Sequence, residues 1–452
     1  MGKFNIAAEI LERARLRGTH PALVGRDGEV TYAELAARVE KMAARLTAAP
    51  VFLRAEVPRI GVTAREGVEH VVAMLGVMVA GGCAVPVPRE FSERERGELR
   101  TLTGLQGLLT NDVEWLEEMA PGFPVAEFNA LHPAMVRFSS GTTGQSKGVV
   151  LSHQTIRERV ESANRRLQIT ESDRVLWTLP MAHHFAVSIL LYLREGATIV
   201  LPDGSLAGDL LAAAKEHGAT IFYGSPFQAR LLAADRSGKD WASLRLAVST
   251  TAPLPGRTAQ EFAQRFGLPL RQALGIIEAG LPLVNSSDGA VASVGREDDF
   301  AVKIDGEPGE LCLRGPGMFD AYLSPWITRE QVMADGWFHT GDLARREGDG
   351  SITIVGRLKS VINVGGSKCF PEEIESVLLA HPAVKAARVH GELHENWGMV
   401  PVAEVVTEPT RPVGPADLLN HARRHLAAYK VPSRVVLVES LPLTASGKLV
   451  RT

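Results

Sequence analysis

Apolar residues in the first three-quarters of the chain fall in short runs separated by stretches with helical spacing. Residues 59–63, 84–87, 174–179, 198–201, 220–223 and 244–249 read as strands apolar on both faces, each followed by a helix-like segment. That alternation predicts largely parallel sheets covered by helices on both sides. Thr31-Tyr-Ala-Glu34 has the form of a capping box and opens a helix running to about residue 46. The N-terminal stretch mixes Glu9 and Glu12 with apolar residues, which predicts an amphipathic surface helix rather than a signal peptide. The uncharged run 71–88 approaches membrane-spanning length, but Gly81, Gly82 and Pro86 divide it into a buried helix, a turn and a strand.

From 291 to 357 the pattern shifts to glycine-punctuated β segments, including 309–314 and 351–355. Beyond 360 the order is helix (371–379), strands (384–390 and 400–406), helix (415–428), strand (434–438) and a polar terminal loop. The expected fold is therefore α/β. A large unit over 1–359 contains parallel-rich sheets and a β subdomain near 291–357, and a small α+β unit over 360–452 follows. A chain of 452 residues with 45% apolar and 22% charged residues is an ordinary globular composition. A net charge of −3 gives no bulk attraction to nucleic acid or anionic membrane. Cys83, Cys312 and Cys369 are too scattered for a disulfide framework and fit a reducing, cytoplasmic setting.

Residues 139–148, Ser-Ser-Gly-Thr-Thr-Gly-Gln-Ser-Lys-Gly, carry almost no side-chain bulk. Such a stretch adds little to a core but exposes backbone N–H groups, hydroxyls and one ammonium, the inventory for holding a polyphosphate. It is not a Walker A loop. The residue five after Gly141 is Ser146, Gly148 follows Lys147, and the next segment reads as a strand instead of a helix.

This loop resembles the signature of the adenylate-forming superfamily of acyl- and aryl-CoA synthetases, adenylation domains and luciferases. The resemblance continues in order along most of the chain. It includes Leu179-Pro-Met-Ala-His183, Ser249-Thr-Thr-Ala-Pro-Leu254, Gly275-Ile-Ile-Glu278 and Gly336-Trp-Phe-His-Thr-Gly-Asp342. It ends with Gly356-Arg-Leu-Lys359, Gly365-Gly-Ser-Lys-Cys-Phe-Pro371 and Pro442-Leu-Thr-Ala-Ser-Gly-Lys448. What it implies is activation of a carboxylic acid by ATP, with Mg2+, to an acyl-adenylate and pyrophosphate, followed by transfer to a thiol.

Carboxylate attack on the α-phosphorus brings two anions together, so the site must neutralise and align. Backbone N–H groups over 139–148, with Ser139, Ser140, Gly141, Thr142, Thr143, Gly144, Ser146 and Lys147, can cradle the β- and γ-phosphates. Glu278 is a hard oxygen ligand suited to Mg2+. Asp342 can accept both ribose hydroxyls, and Arg357 can donate to the ribose or to phosphate; the pair also reads as a structural ion pair. By resemblance, Thr251, Ala252, Pro253, Leu274, Gly275, Ile277 and Ile354 complete the nucleotide site. Lys448 reaches over it to bridge the substrate carboxylate and the phosphate. Rotation at Ser360 then withdraws Lys448 and brings in Gly365 and Gly366, where a pantetheine arm passes close to backbone.

The sequence departs from the family pattern at four places. Leu274 stands where an aromatic residue commonly stacks on adenine, a loss of about 0.5–1.5 kcal/mol. Ile277 replaces a threonine that contacts phosphate, worth about 1.5–3 kcal/mol unless water, Thr250 or Thr251 substitutes. Thr250 and Thr251 occupy positions where glycine is usual, and Ser360 replaces a hinge aspartate. The run from His183 to Ser188 has no carboxylate to pair an α-ammonium, so a plain carboxylic acid is expected rather than an amino acid. His183, Phe185, Ala186, Phe222, Tyr223, Gly224, Ser249, Thr250, Leu274, Gly275 and Ile276 are the expected pocket wall, suited to an aryl or medium-to-long aliphatic acid. CoA is the expected acceptor. A carrier-protein phosphopantetheine acting in trans, release of acyl-AMP to another fate, and a noncatalytic nucleotide-binding scaffold are the alternatives.

Overall fold

In a computed structural model, residues 4–25, 28–64, 66–89, 91–110, 113–116, 121–138, 147–238, 240–285, 293–365 and 367–442 are described. The sequence assignments at Ser139–Ser146, Gly366 and Lys448 lie outside them. Among the described residues, four sheets carry the architecture. The first has eight strands. Its middle is the parallel set Leu270–Ile276, Leu246–Ser249, Ile221–Gly224, Arg174–Trp177, Thr198–Leu201 and Pro21–Gly25. Antiparallel strands Gly280–Val284 and Gly28–Thr31 close its two edges.

The second sheet also has eight strands but is mixed. Arg59–Val62, Cys83–Pro86, Gly107–Leu109 and Pro133–Phe138 run parallel, whereas Gly148–Ser152 returns antiparallel beside Pro133–Phe138. The segment after Lys147 is thus a strand, as its apolar run predicts. A five-stranded antiparallel sheet is built from residues between 293 and 357, although Ala321–Leu323 and Trp326–Thr328 in that span join the second sheet, and the C-terminal residues build a fourth sheet with its own apolar core.

The largest core lies between the two eight-stranded sheets. Apolar residues of both sheets meet there on helices Ile6–Arg17, Tyr32–Thr47, Val68–Val79 and His153–Leu167. Helix Ile6–Arg17 presents an exposed charged face, and its other face, with Ile6, Ile10 and Leu11, is fully buried. The capping box at Thr31 forms as expected, with Thr31 and Glu34 satisfying each other's backbone N–H groups. Residues 71–88 divide into the end of a buried helix, a turn and the strand Cys83–Pro86. No helix among the described residues is long and apolar enough to cross a membrane.

Two imidazoles are enclosed in this inter-sheet core. His153, at the start of its helix, accepts from the Ile6 backbone N–H at 3.3 Å and faces His132. Burial and the neighbouring ring push its pKa down to about 3. His70 packs edge-on against Phe185, and burial lowers it to about 4. An exposed histidine titrates near 6.5, so the unfolded chain binds protons that the native chain refuses. The contribution of these neutral rings is complete above about pH 6.5 and is lost as pH falls toward the native values. Thermal unfolding should therefore show a lower midpoint at pH 5 than at pH 7.5. His153→Asn should shrink that difference, and an unchanged difference would remove His153 from the account.

Candidate functional site

The site is assembled where the turn between strands Leu270–Ile276 and Gly280–Val284 meets the entry to strand Ala321–Leu323 of the second sheet. Arg159 makes that junction. On helix His153–Leu167 it shares the apolar stripe of Ile156, Val160, Ala163 and Leu167, and it is only 2% exposed. Its guanidinium donates to the carbonyls of Gly317 at 2.6 Å, Ile277 at 3.0 Å and Glu278 at 2.6 Å. Phe319 N–H also donates to the Glu278 carbonyl, at 2.7 Å. Gly317 has φ +67°, and a Cβ there would lie 2.6 Å from Arg159 Cγ, so glycine is required for the approach. Burial pushes Arg159 down to about 9, which leaves it charged at neutral pH.

With its backbone fixed, the Glu278 side chain meets Tyr322, whose hydroxyl donates to Oε1 at 2.9 Å. Burial and this carboxylate push the phenol well above its usual range, so it stays a donor. The exposed Lys147 ammonium lies 4.7 Å from the centroid of the same ring. Lys147 and Glu278, 131 positions apart by their numbers, are thus brought onto one aromatic residue, the ammonium near its ring and the carboxylate at its hydroxyl. A third cation, Arg137 at the end of strand Pro133–Phe138, feels the Glu278 carboxylate; burial lowers it to about 10. This is a cationic setting containing one hard carboxylate, which fits a phosphate chain and Mg2+ together.

Asp342 and Arg357 face each other in register on strands Phe338–Arg346 and Ile352–Arg357, joined at 2.8 Å. The Asp342 side chain is 7% exposed and that of Arg357 is 54% exposed, so the pair is anchored on the acid and open on the base. Ile354 is half-buried on the second of these strands, and the turn Leu358–Ser360 follows immediately. Gly365 adopts φ +56° and donates its N–H to the Trp397 carbonyl at 2.8 Å.

The expected pocket wall divides in two. Tyr223 faces the inter-sheet core; its phenol hydrogen-bonds Ser188 and Thr250, and its ring stacks on Trp177. Thr250 is buried, and its Oγ1 lies 3.5 Å from where a Cβ on Gly275 would stand. Leu274 and Ile276 are half-buried beside the same core. The assignment of Phe222 requires correction. It packs on the outer face of the first sheet, stacked on Phe262 and edge-on to Trp241. Strand alternation puts Gly224 and Ser249 on that outer face too.

Phe185 and Ala186 lie in a π-helical turn and are fully buried packing residues. His183 is half-buried and lines a small cavity with Arg137, Phe138, Pro86 and Phe91. His184 packs against Trp177. The hydroxyl of Thr250 is engaged with Tyr223. Thr251 has φ +78°, so a β-branched residue holds a conformation that usually belongs to glycine, while Ala252 and Pro253 are exposed beyond it.

Arg159, Arg137 and Tyr322 were not anticipated from sequence. Arg159 did leave a signal, a charge on the apolar stripe of its helix.

Comparison with known proteins matches residues 10–323 to the AMP-binding enzyme family model and residues 373–448 to the AMP-binding enzyme C-terminal domain. The 2-succinylbenzoate–CoA ligase of Bacillus subtilis is 30% identical over 98% of this chain and 96% of its own length. A feruloyl-CoA synthase from Amycolatopsis is 29% identical with the same coverage. The structure of O-succinylbenzoate coenzyme A synthetase from Bacillus subtilis in complex with ATP and magnesium ion superposes with TM-score 0.84, at 28% identity and 98% coverage of both chains.

Two substitutions test the local geometry. Arg159→Met should destabilise by about 3 kcal/mol or more, because three buried carbonyls lose a charged donor. It should also lower ATP turnover in the folded fraction, and a stable, fully active variant would contradict the junction. Thr251→Gly should raise the urea midpoint, with about 1 kcal/mol recovered from the left-handed backbone.

Proposed function

The chain belongs to the AMP-binding enzyme family, and we propose that it activates an aryl carboxylic acid as its acyl-adenylate and passes the acyl group to CoA. It is an acid–thiol ligase working through acyl-AMP, with ATP, Mg2+ and CoA as its companions. The observation that carries the reading is the convergence of Lys147 and Glu278 on Tyr322, with Arg137 behind them. Three relatives support an aryl substrate: a 2-succinylbenzoate–CoA ligase, a feruloyl-CoA synthase and a 4-coumarate–CoA ligase. The run from His183 to Ser188 has no carboxylate to hold an α-ammonium.

The chain's residues then take the following parts. The glycine-rich loop and Lys147 hold the terminal phosphates, and Tyr322 keeps the Glu278 carboxylate aimed by donating to one of its oxygens. Glu278 would hold Mg2+, which when bound supplies charge neutralisation to the phosphate oxygens. Asp342 accepts from the ribose while Arg357 stays within reach of ribose or phosphate. Lys448 neutralises the charge that grows between carboxylate and phosphorus, the kind of contribution worth about 10²–10³ in rate. Turning at Ser360 would exchange Lys448 for Gly365 and Gly366, whose small size admits the pantetheine arm.

The test is pyrophosphate release over a panel of aryl, aliphatic and amino acids, each with and without CoA. Aryl acids should give CoA-dependent turnover. Lys448→Ala should slow adenylation by about 10²-fold or more while leaving thioester formation from supplied acyl-AMP largely intact. Acyl-AMP that accumulates untouched by CoA would move the acceptor to a carrier protein or another nucleophile. ATP binding without turnover on any acid would sink the enzymatic reading.

A further inference from the structure

Glu310, Cys312 and His339 stand apart from the groups just described. They bring a carboxylate oxygen, a sulfur and an imidazole nitrogen within 4.8 Å of one another. Glu310 and Cys312 alternate onto one face of strand Gly309–Arg314, and His339 lies opposite Cys312 on the neighbouring strand. His339 Nδ1 is 2.9 Å from Glu310 Oε2 and 3.4 Å from Cys312 Sγ. Its other nitrogen, Nε2, is 2.9 Å from Asp335 Oδ2.

A neutral ring that donates Nε2–H to Asp335 turns the Nδ1 lone pair toward an anionic oxygen and a sulfur. Only a proton or a metal ion on Nδ1 removes that conflict. The donor set of nitrogen, sulfur and oxygen is the one preferred by zinc-class ions and is poorly suited to Mg2+ or Ca2+. With zinc–sulfur and zinc–nitrogen bonds of about 2.3 and 2.0 Å, the 3.4 Å separation subtends about 100° at the metal, close to tetrahedral.

Two supports are already placed around the triad. Asp335 is the outer carboxylate that orients a metal-bound imidazole. The Gly341 N–H donates to Glu310 Oε1 at 3.1 Å, leaving Oε2 facing the other two ligands. Cys312 is buried, while His339 keeps 43% of its side chain exposed, so a fourth position opens to water. Asp305 adds negative charge nearby, with Lys303 bound to it at 2.8 Å.

We propose that Glu310, Cys312 and His339 form a binding site for one zinc-class divalent cation, separate from the Glu278 carboxylate. The ion would clamp strand Gly309–Arg314 to strand Phe338–Arg346. It would sit one hydrogen bond from Gly341, the residue before Asp342, so its occupancy bears on the turn that presents Asp342.

Cobalt titration of the full chain tests this. Co2+ should produce a thiolate charge-transfer band that saturates at one equivalent, is displaced by Zn2+ and is unaffected by Mg2+. Cys312→Ser and His339→Gln should each abolish the band or weaken it, and should lower zinc affinity at least tenfold in competition with a chromogenic chelator. His339→Gln alters a half-exposed side chain, and circular dichroism verifies that both variants fold. Cys83 and Cys369 remain in both. A band that persists at full strength in Cys312→Ser, equal zinc affinity in all three proteins, or no band in the wild type each overturns the site.

Discussion

A single buried guanidinium holds the surroundings of Glu278 in shape. Arg159 rises from the helix between the two large sheets and gathers three backbone carbonyls from two loops that are distant in sequence. A charge in that position would be ruinous without partners, and three loop carbonyls would be equally costly without a donor. Each therefore requires the other. The outcome is that the Glu278 turn, which belongs to the first sheet, is referenced to the Gly317 turn, which leads into the second. Gly317 is glycine because the helix comes too close for a Cβ.

Positions around Glu278 follow from that junction. Tyr322 lies just beyond the Gly317 turn, so a hydroxyl from one sheet reaches the carboxylate of the other. Lys147 enters from the strand next to Tyr322, and its ammonium lies near the face of the ring. Asp342 and Arg357 are set differently, by cross-strand register, which needs no long-range clasp. The candidate site thus combines one element fixed by tertiary hydrogen bonding with another fixed by local pairing.

Much of this was legible in the chain. The strand after Lys147 was legible through its apolar run, whereas Glu278, Asp342 and Arg357 were singled out by the family resemblance together with residue type. Strand orientation was less accessible. In Ile221–Gly224 every residue is buried, so polarity does not tell which face carries Phe222 and which Tyr223. Only the packing of helices on the outer face settles it, and Phe222 belongs there. Tyr322 was hidden for another reason. Its partners come from residues 147 and 278, and no local pattern ties those positions together. The cluster of Glu310, Cys312 and His339 depends likewise on two strands meeting in register.

The position of strand Pro21–Gly25 bears on how the chain is made. It pairs in parallel with Thr198–Leu201, roughly 175 residues later, a separation that slows folding. During synthesis at about 5–20 residues per second, this early apolar hairpin waits on the order of ten seconds or more for its neighbour to leave the ribosome. The helix Ile6–Arg17 shares much of the delay, because its buried face rests in part on helices His153–Leu167 and Leu190–Glu195. Variants that weaken the inter-sheet core will accordingly lose yield to aggregation and chaperone retention in the cell before the purified enzyme loses its chemistry.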